Sequence, residues 1–352
     1  MIPHSRPTLG HEEIQRVSEV LQSGQLAQGQ MAARFEAAFA RKLKVGYAVS
    51  VSSGTAALHL TLLALKIGPK DEVIIPSYVC SALLNAVNYV GARPVLAEID
   101  PETYNLDPVD VKNRLTRRTR VIIVPHLFGL AADLESLCDL DVPIIEDCAQ
   151  AAGAGYHKKP VGTLGRAAIF SFYATKVLTT GEGGMIVSNS EELIDYARGY
   201  RQYDKTDRYQ TRFNYKMTDI QAAIGLCQLN RLDNFIRRRR AIAQNYHNAL
   251  ASLDMRLPPK VSGHIYFRYV IGLGADARPW IRGLKARGVA CARPVHTPLH
   301  RYLKKDGYPI TDKAWDQSLS IPIYPSLNEK EGAHIIQSLI ETSEEVRGAN
   351  IL

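Results

Sequence analysis

Hydrophobic positions in the first half of the chain gather in short runs rather than in strict alternation. "YAVSVSS", "DEVIIP", "ARPVLAEID", "RVIIVPHLFG", "VPIIEDCAQ", "AAIFSFY" and "GGMIVSN" all fall between residues 47 and 190, each bounded by turn-forming residues. Between several of them lie helical stretches such as "TAALHLTLLALK" and "SALLNAVNYVG". Apolar strands separated by helices predict an α/β fold with a mostly parallel sheet covered on both faces.

The pattern then changes. From Thr218 to about Leu253 it reads as one long helix, opened by a capping-box pair, Thr218 and Gln221. Its "AAIGLCQL" part is apolar and the later part polar, as for a helix leaving one core and joining another. "LPPK" at 257–260 is the predicted stop. Beyond it the chain reads as a smaller α+β unit. "HIYFRYVIGL" is a strand, "ARPWIRGLKARG" a helix ending at Gly288, "VACARPV" a second strand, and a last helix runs from near Asn328 to about Arg347. The expected division is a large domain over 1–240, its N-terminal segment packing on the smaller one, and a small domain over 241–352.

Composition excludes more than it selects. At 352 residues, 46% hydrophobic and 22% charged, the chain is ordinary for a globular protein with a large core. The N-terminus "MIPHSRPTLGHEEIQRV" has no apolar signal core, and no run approaches the roughly 20 apolar residues of a membrane span. Five cysteines (80, 138, 148, 227 and 291), an odd number without a C-x-x-C pair, point to reduced thiols in a cytoplasm and to no metal site. Lys and Arg outnumber Asp and Glu by 43 to 35, a net charge of +8. The densest basic cluster, Arg237 to Arg240, points four ways around a helix. A solvated face is the first expectation for it, a contact to an anionic substrate the second. No nucleic-acid recognition motif accompanies the charge.

Three pieces carry candidate chemistry. In "VSVSSGTAALHL" a strand passes directly into an apolar helix through Ser52-Ser53-Gly54-Thr55. Free N–H groups at such a start form a phosphate site; an ordinary N-cap by Ser53 or Thr55 is the plainer alternative. In "PIIEDCAQAAGA", Asp147 ends an apolar strand, where ligand crevices of α/β sheets form. A carboxylate there needs a cationic or N–H partner, and either a protonated pyridine or a loop cap supplies one. In "FSFYATKVLTTGEGG", Lys176 follows the next strand, as a surface residue or as a Schiff-base lysine whose charge is removed by covalent linkage.

Taken together, these motifs resemble the DegT/DnrJ/StrS family of pyridoxal-phosphate (PLP) sugar aminotransferases, of aspartate-aminotransferase fold type I. The resemblance runs nearly end to end, from "EEIQRVSEVLQSGQLAQGQMAARFEAAFA" through "GPKDEVIIPSY", "GARPVLAEIDPETYNLDP", "IEDCAQAAGA" and "NYKMTDIQAAIGLCQLNRLD" to "IPIYPSL". It implies pyridoxal 5'-phosphate as cofactor, tied covalently to Lys176, which also moves the proton in transamination. Asp147 is implied to hold the pyridine nitrogen protonated, and Gln150 to lie near the ring hydroxyl. Gly54, Thr55 and Ser171 are implied to bind the phosphate, and Asn214 to reach it from the neighbouring subunit of a homodimer. The implied partners are L-glutamate, giving 2-oxoglutarate, and a nucleotide-linked keto sugar.

Two positions depart from the family pattern. Cys80 stands where many relatives carry an aromatic residue stacked on the cofactor, with Tyr78 two residues earlier. Thr297 replaces a frequent tyrosine beside His296, a candidate substrate-pocket residue. Amination of a keto-cyclitol or another carbonyl acceptor, and a non-catalytic PLP-binding regulator, are the competing readings.

Overall fold

The seven apolar runs become the seven strands of one sheet. The computed structural model describes residues 1–204, 207 and 209–349, so the last three residues of the expected small domain lie outside it. In chain order the elements are α1 (His11–Ser23), α2 (Gln30–Leu43), β1 (Tyr47–Val51), α3 (Gly54–Ala64), β2 (Glu72–Pro76), α4 (Ala82–Tyr89), β3 (Arg93–Ala97), α5 (Pro108–Arg114), β4 (Thr119–Pro125), α6 (Leu134–Cys138) and β5 (Ile144–Asp147). There follow β6 (Gly155–Tyr156), β7 (Lys159–Pro160), β8 (Ala167–Ser171), β9 (Gly184–Ser188), α7 (Glu191–Tyr200) and α8 (Asp219–Leu250). The remainder comprises β10 (Tyr269–Gly272), α9 (Ala277–Ala286), α10 (Leu299–Tyr302), α11 (Pro309–Gln317), β11 (Ser318–Ile321) and α12 (Glu329–Ala349).

The large sheet has the order β1-β9-β8-β5-β4-β2-β3, parallel except for β9, which runs antiparallel to both of its neighbours. Strand alternation explains why it is buried on two faces. On β8, Ala167 and Ile169 enter the core built with α3 and α4, while Ala168 and Phe170 enter the one that holds Phe35 and Phe39 of α2. The long helix behaves as its pattern predicts. Thr218 accepts from Gln221 N, and Gln221 returns a side-chain acceptor to Thr218 N at 2.9 Å. Leu229 and Leu232 of α8 pack in the second core, whereas Ile242, Tyr246 and Leu250 join a third, with β10, β11, α9 and α12.

Several expectations for the C-terminal part need correction. α8 ends at Leu250, well before "LPPK", in a turn over 251–254. "VACARPV" makes only isolated bridges, Val289 to Ile2 and Ala292 to Ser320, and the strand paired with β10 is Ser318–Ile321. Residues 264–268 of "HIYFRYVIGL" precede the strand as irregular chain that bends at 267–268, with Tyr266 at φ 50°. The bridge at Ile2 also brings the N-terminal segment against the third core, where Ile2 packs.

Candidate active site

The parallel strands β2, β4, β5 and β8 end at one edge of the sheet, and the candidate residues follow those ends. Ser53 caps α3, accepting from Ala56 N at 3.1 Å, so the ordinary cap is present. It leaves work for a ligand all the same: the next two N–H groups, of Gly54 and Thr55, have no partner among the described residues. Ser171, the last residue of β8, faces them closely. A Cβ at Gly54 would sit 2.9 Å from Ser171 Cβ, and one at Gly184 would collide with Ser53 O. Glycine at both positions lets the start of α3 settle onto β8 and β9. Two free N–H groups, a helix dipole and a hydroxyl in one spot form a cradle for a phosphate.

Asp147 closes β5. Its Oδ1 accepts from Ala149 N at 2.9 Å, and among the described residues it makes no other side-chain hydrogen bond. Burial raises its pKa; the Ala149 N–H and the nearby charges of Lys176 and His126 only partly offset that. Lys176 sits in the loop after β8. That loop is pinned by Lys176 N to Tyr173 O, Phe172 N to Gly183 O, Thr180 N to Phe172 O and Thr179 Oγ1 to Phe172 O. Burial lowers the lysine's pKa, against the raising influence of Cys80 and Asp147, and Arg268 lowers it further. An acid pushed up and an amine pushed down within each other's field are a pair short of a partner. A flat ring with a protonated nitrogen at one end and an aldehyde at the other suits both.

Gln150 Oε1 accepts from Phe128 N at 2.9 Å, which fixes its amide at the rim of the same crevice. Cys80 is solvent-accessible, yet burial is the first cause of its raised pKa, with Lys176 and Asp147 as the charges it feels. Both facts hold for a thiol on the wall of a deep cleft. Tyr78 does not share that wall. It is fully buried and stacks on Tyr104 at 5.8 Å, so Cys80 alone of the two lies toward Lys176 and Asp147. Tyr104 in turn meets Arg256 and Ser318, which line a separate hollow of about 730 Å³; none of the candidate site residues borders that hollow.

Two predicted residues stand outside this group. Asn214 is exposed, with no side-chain hydrogen bond among the described residues, although its neighbour Tyr215 accepts from Ser52 N at 2.7 Å. His296 is exposed and pairs with Thr297 Oγ1 at 3.1 Å. Its segment is anchored nearby, since Leu299 N donates to Ser77 O.

The arginine cluster is only in part the solvated face expected of it: Arg237 and Arg240 are exposed, and the other two turn inward. Arg239 is buried and donates to the carbonyls of Tyr266, Phe267 and Ile323. Arg238 donates to Leu327 O, while Arg237, beside Asn234, and Arg240, which donates to His264 O, are exposed. The cluster ties α8 to the segment before β10. That segment delivers a residue the motifs did not single out, Arg268. The signal was present: one charge inside the apolar run "HIYFRYVIGL".

The comparisons agree with this geometry. Residues 7–340 match the model of the DegT/DnrJ/EryC1/StrS aminotransferase family. Similar curated proteins include a GDP-perosamine synthase of Escherichia coli O157:H7, 36% identical over 97% of this chain and 98% of the relative. Another, from Caulobacter vibrioides, is 38% identical over 88% and 90%. Among solved structures, a putative sugar aminotransferase of Streptococcus pneumoniae in its PMP form superposes with a TM-score of 0.96 at 26% identity, covering 100% of both chains. Its PLP form superposes at 0.93. The fold is the type I fold of PLP-dependent transferases, the cofactor is pyridoxal phosphate, and the chain belongs to the DegT/DnrJ/EryC1/StrS family of sugar aminotransferases.

Proposed function

We propose that the protein moves an amino group from L-glutamate to the keto group of a nucleotide-linked sugar. The observation that carries the reading is the placing of buried Asp147 and half-buried Lys176 at the strand ends that also bring Ser171 against Gly54 and Thr55, whose N–H groups have no partner among the described residues. The similar proteins from Escherichia coli and Caulobacter vibrioides, both GDP-perosamine synthases, support a nucleotide sugar as acceptor.

When bound, pyridoxal phosphate supplies the aldehyde that takes up the donor's amine and the ring that accepts the electrons released at carbon. The chain's own residues do the rest. Gly54 N, Thr55 N and Ser171 Oγ hold the phosphate, and Asp147 keeps the ring nitrogen protonated. Lys176 Nζ, whose pKa burial lowers, carries the cofactor and then takes and returns the proton at the substrate carbon. Cys80 leaves more room over the ring than an aromatic side chain.

On the same reading the active unit is a homodimer in which Asn214, exposed in one protomer, reaches the phosphate of the other. Residues 1–240 form the cofactor-binding domain and 241–352 the smaller one, the two joined through α8. The free cysteines and the absence, among the described residues, of any helix long and apolar enough to cross a membrane support a cytoplasmic enzyme. The test is a panel of keto-sugar nucleotides offered with L-glutamate, read as 2-oxoglutarate formed. At least one nucleotide sugar is expected to turn over. Turnover of free keto-cyclitols alone, or of no acceptor, would overturn the reading.

A further inference from the structure

Arg268 has the surroundings of an anion site without the anion. Its Nη1 lies 3.2 Å from His4 Nδ1, and among the described residues it pairs with no carboxylate. His4 is held neutral, its pKa pushed down to about 3 by burial and by the arginine itself. With Nε2 at 2.8 Å from Ser320 Oγ, the neutral ring donates there and accepts from Arg268 at Nδ1. The other guanidinium N–H groups of Arg268 have no partner among the described residues, and they are not sealed in, unlike Nε of Arg239, which is buried and unpaired. Burial lowers the guanidinium's pKa to about 10, so the protein holds a costly cation there without neutralising it.

Its position relative to the reactive lysine is set by one aromatic ring. Lys176 Nζ lies 5.4 Å from the Phe267 ring centroid and Arg268 Cζ 4.9 Å from the same centroid. The segment that carries both side chains is fixed. Arg239 caps the carbonyls of Tyr266 and Phe267, Ile265 N donates to Gly129 O, and a Cβ on Gly129 would lie 2.9 Å from Phe267 N.

We propose that Arg268, steadied by His4, binds the α-carboxylate of the amino-acid donor beside Lys176. The inference rests on the transaminase reading above and names how that site selects its donor. An α-amino acid carries its carboxylate on the same carbon as its amine, so anion and reacting nitrogen arrive together, matching a guanidinium and the cofactor-bearing lysine on one ring. The phosphates of a nucleotide-linked sugar are set off from any keto carbon by at least the anomeric carbon and its oxygen. A planar guanidinium with adjacent free N–H groups fits a carboxylate through paired, charge-assisted hydrogen bonds.

The test uses the cofactor-loaded protein and two readouts. The first is calorimetric binding of maleate, a dicarboxylate with no amine to transfer. The second is the dependence of the first half-reaction on L-glutamate, followed by the cofactor's visible band in a single turnover. Arg268→Gln is expected to weaken maleate binding and raise half-saturating glutamate by about ten- to a hundredfold. Arg268→Lys should recover part of the loss, and His4→Ala should lose less than Arg268→Gln. Cofactor absorbance and melting temperature report whether each variant is folded, and Arg268→Lys carries the test if Arg268→Gln is not. Unchanged maleate and glutamate dependence would overturn the proposal. So would a larger loss in the second half-reaction with a keto-sugar nucleotide, which would assign the arginine to the acceptor's phosphates. If wild-type protein ignores glutamate, the donor reading fails by itself, and maleate binding still decides the role of Arg268.

Discussion

Glu146 and Asp147 are neighbours on one strand, and the protein treats them oppositely. Glu146 is sealed in and accepts from His126 Nε2 at 3.1 Å and from the N–H groups of Gly162, Leu164 and Gly165, each at 2.7 Å. Because His126 Nδ1 accepts from Ala132 N, its proton is on Nε2, aimed at the carboxylate. Burial would raise the pKa of Glu146, but these donors outweigh it and the net shift is downward. The Asp147 carboxylate, on the other face of the strand, receives one hydrogen bond among the described residues, and burial wins. The same contrast recurs in the arginines: Arg239 is given three carbonyls, Arg268 a neutral histidine. Glu146 and Arg239 are given several protein partners, whereas Asp147 and Arg268, which the proposed reading assigns to the ligand, are given few.

The largest expected effect comes from the lysine at the centre of that shortfall. Lys176→Ala should lose covalent cofactor attachment and about a thousandfold or more in kcat, measured in the coupled 2-oxoglutarate assay. Asp147→Asn should cost about a hundredfold or more in kcat while leaving the cofactor-free protein at least as stable as wild type, since it removes a penalised charge. Glu146→Gln should do the reverse. It turns an acceptor toward N–H groups into a donor and should cost about 2–3 kcal/mol of folding stability in a denaturant titration. If Asp147→Asn unfolds the protein and Glu146→Gln does not, the comparison is wrong.

The pH dependence sharpens the contrast. Glu146, with a depressed pKa, contributes stability that is present above its unfolded value of about 4.3 and lost as pH falls through the folded one. Asp147, with a raised pKa, does the opposite. Its penalty begins as pH rises past about 3.9 and is complete above its folded value. Melting curves of the cofactor-free variants should therefore show Asp147→Asn gaining on wild type as pH rises from about 4. Glu146→Gln should converge on wild type in acid. Parallel curves across that window would contradict both assignments. The smallest effects lie in the arginine cluster: Arg239→Ala should cost about 2 kcal/mol by leaving carbonyls unpaired, and Arg237→Ala less than about 0.5 kcal/mol.

The sheet and its crevice were legible because their signals are local. A buried parallel strand writes itself as an apolar run, and a residue placed just after such a run falls at the sheet's edge, as Asp147, Ser171 and Lys176 do. The C-terminal part was harder to read because its contacts come from distant segments. "VACARPV" has a strand's composition, but its partners, Ile2 and Ser320, each offer one bridge. The role of Arg237 to Arg240 depends on carbonyls contributed by 264–267 and 323–327, which no helical pattern reveals. Tyr78 was ambiguous for a related reason: only the packed structure shows it committed to Tyr104 and the core, leaving Cys80 to face the cleft.

The most direct test of the central claim is chemical trapping. Cofactor-loaded protein is reduced with borohydride, digested, and its peptides read by mass spectrometry. The account predicts a phosphopyridoxyl mass on the peptide containing Lys176 and on no other lysine. A label on a different lysine, or none on a protein that retains its visible cofactor band, would contradict it.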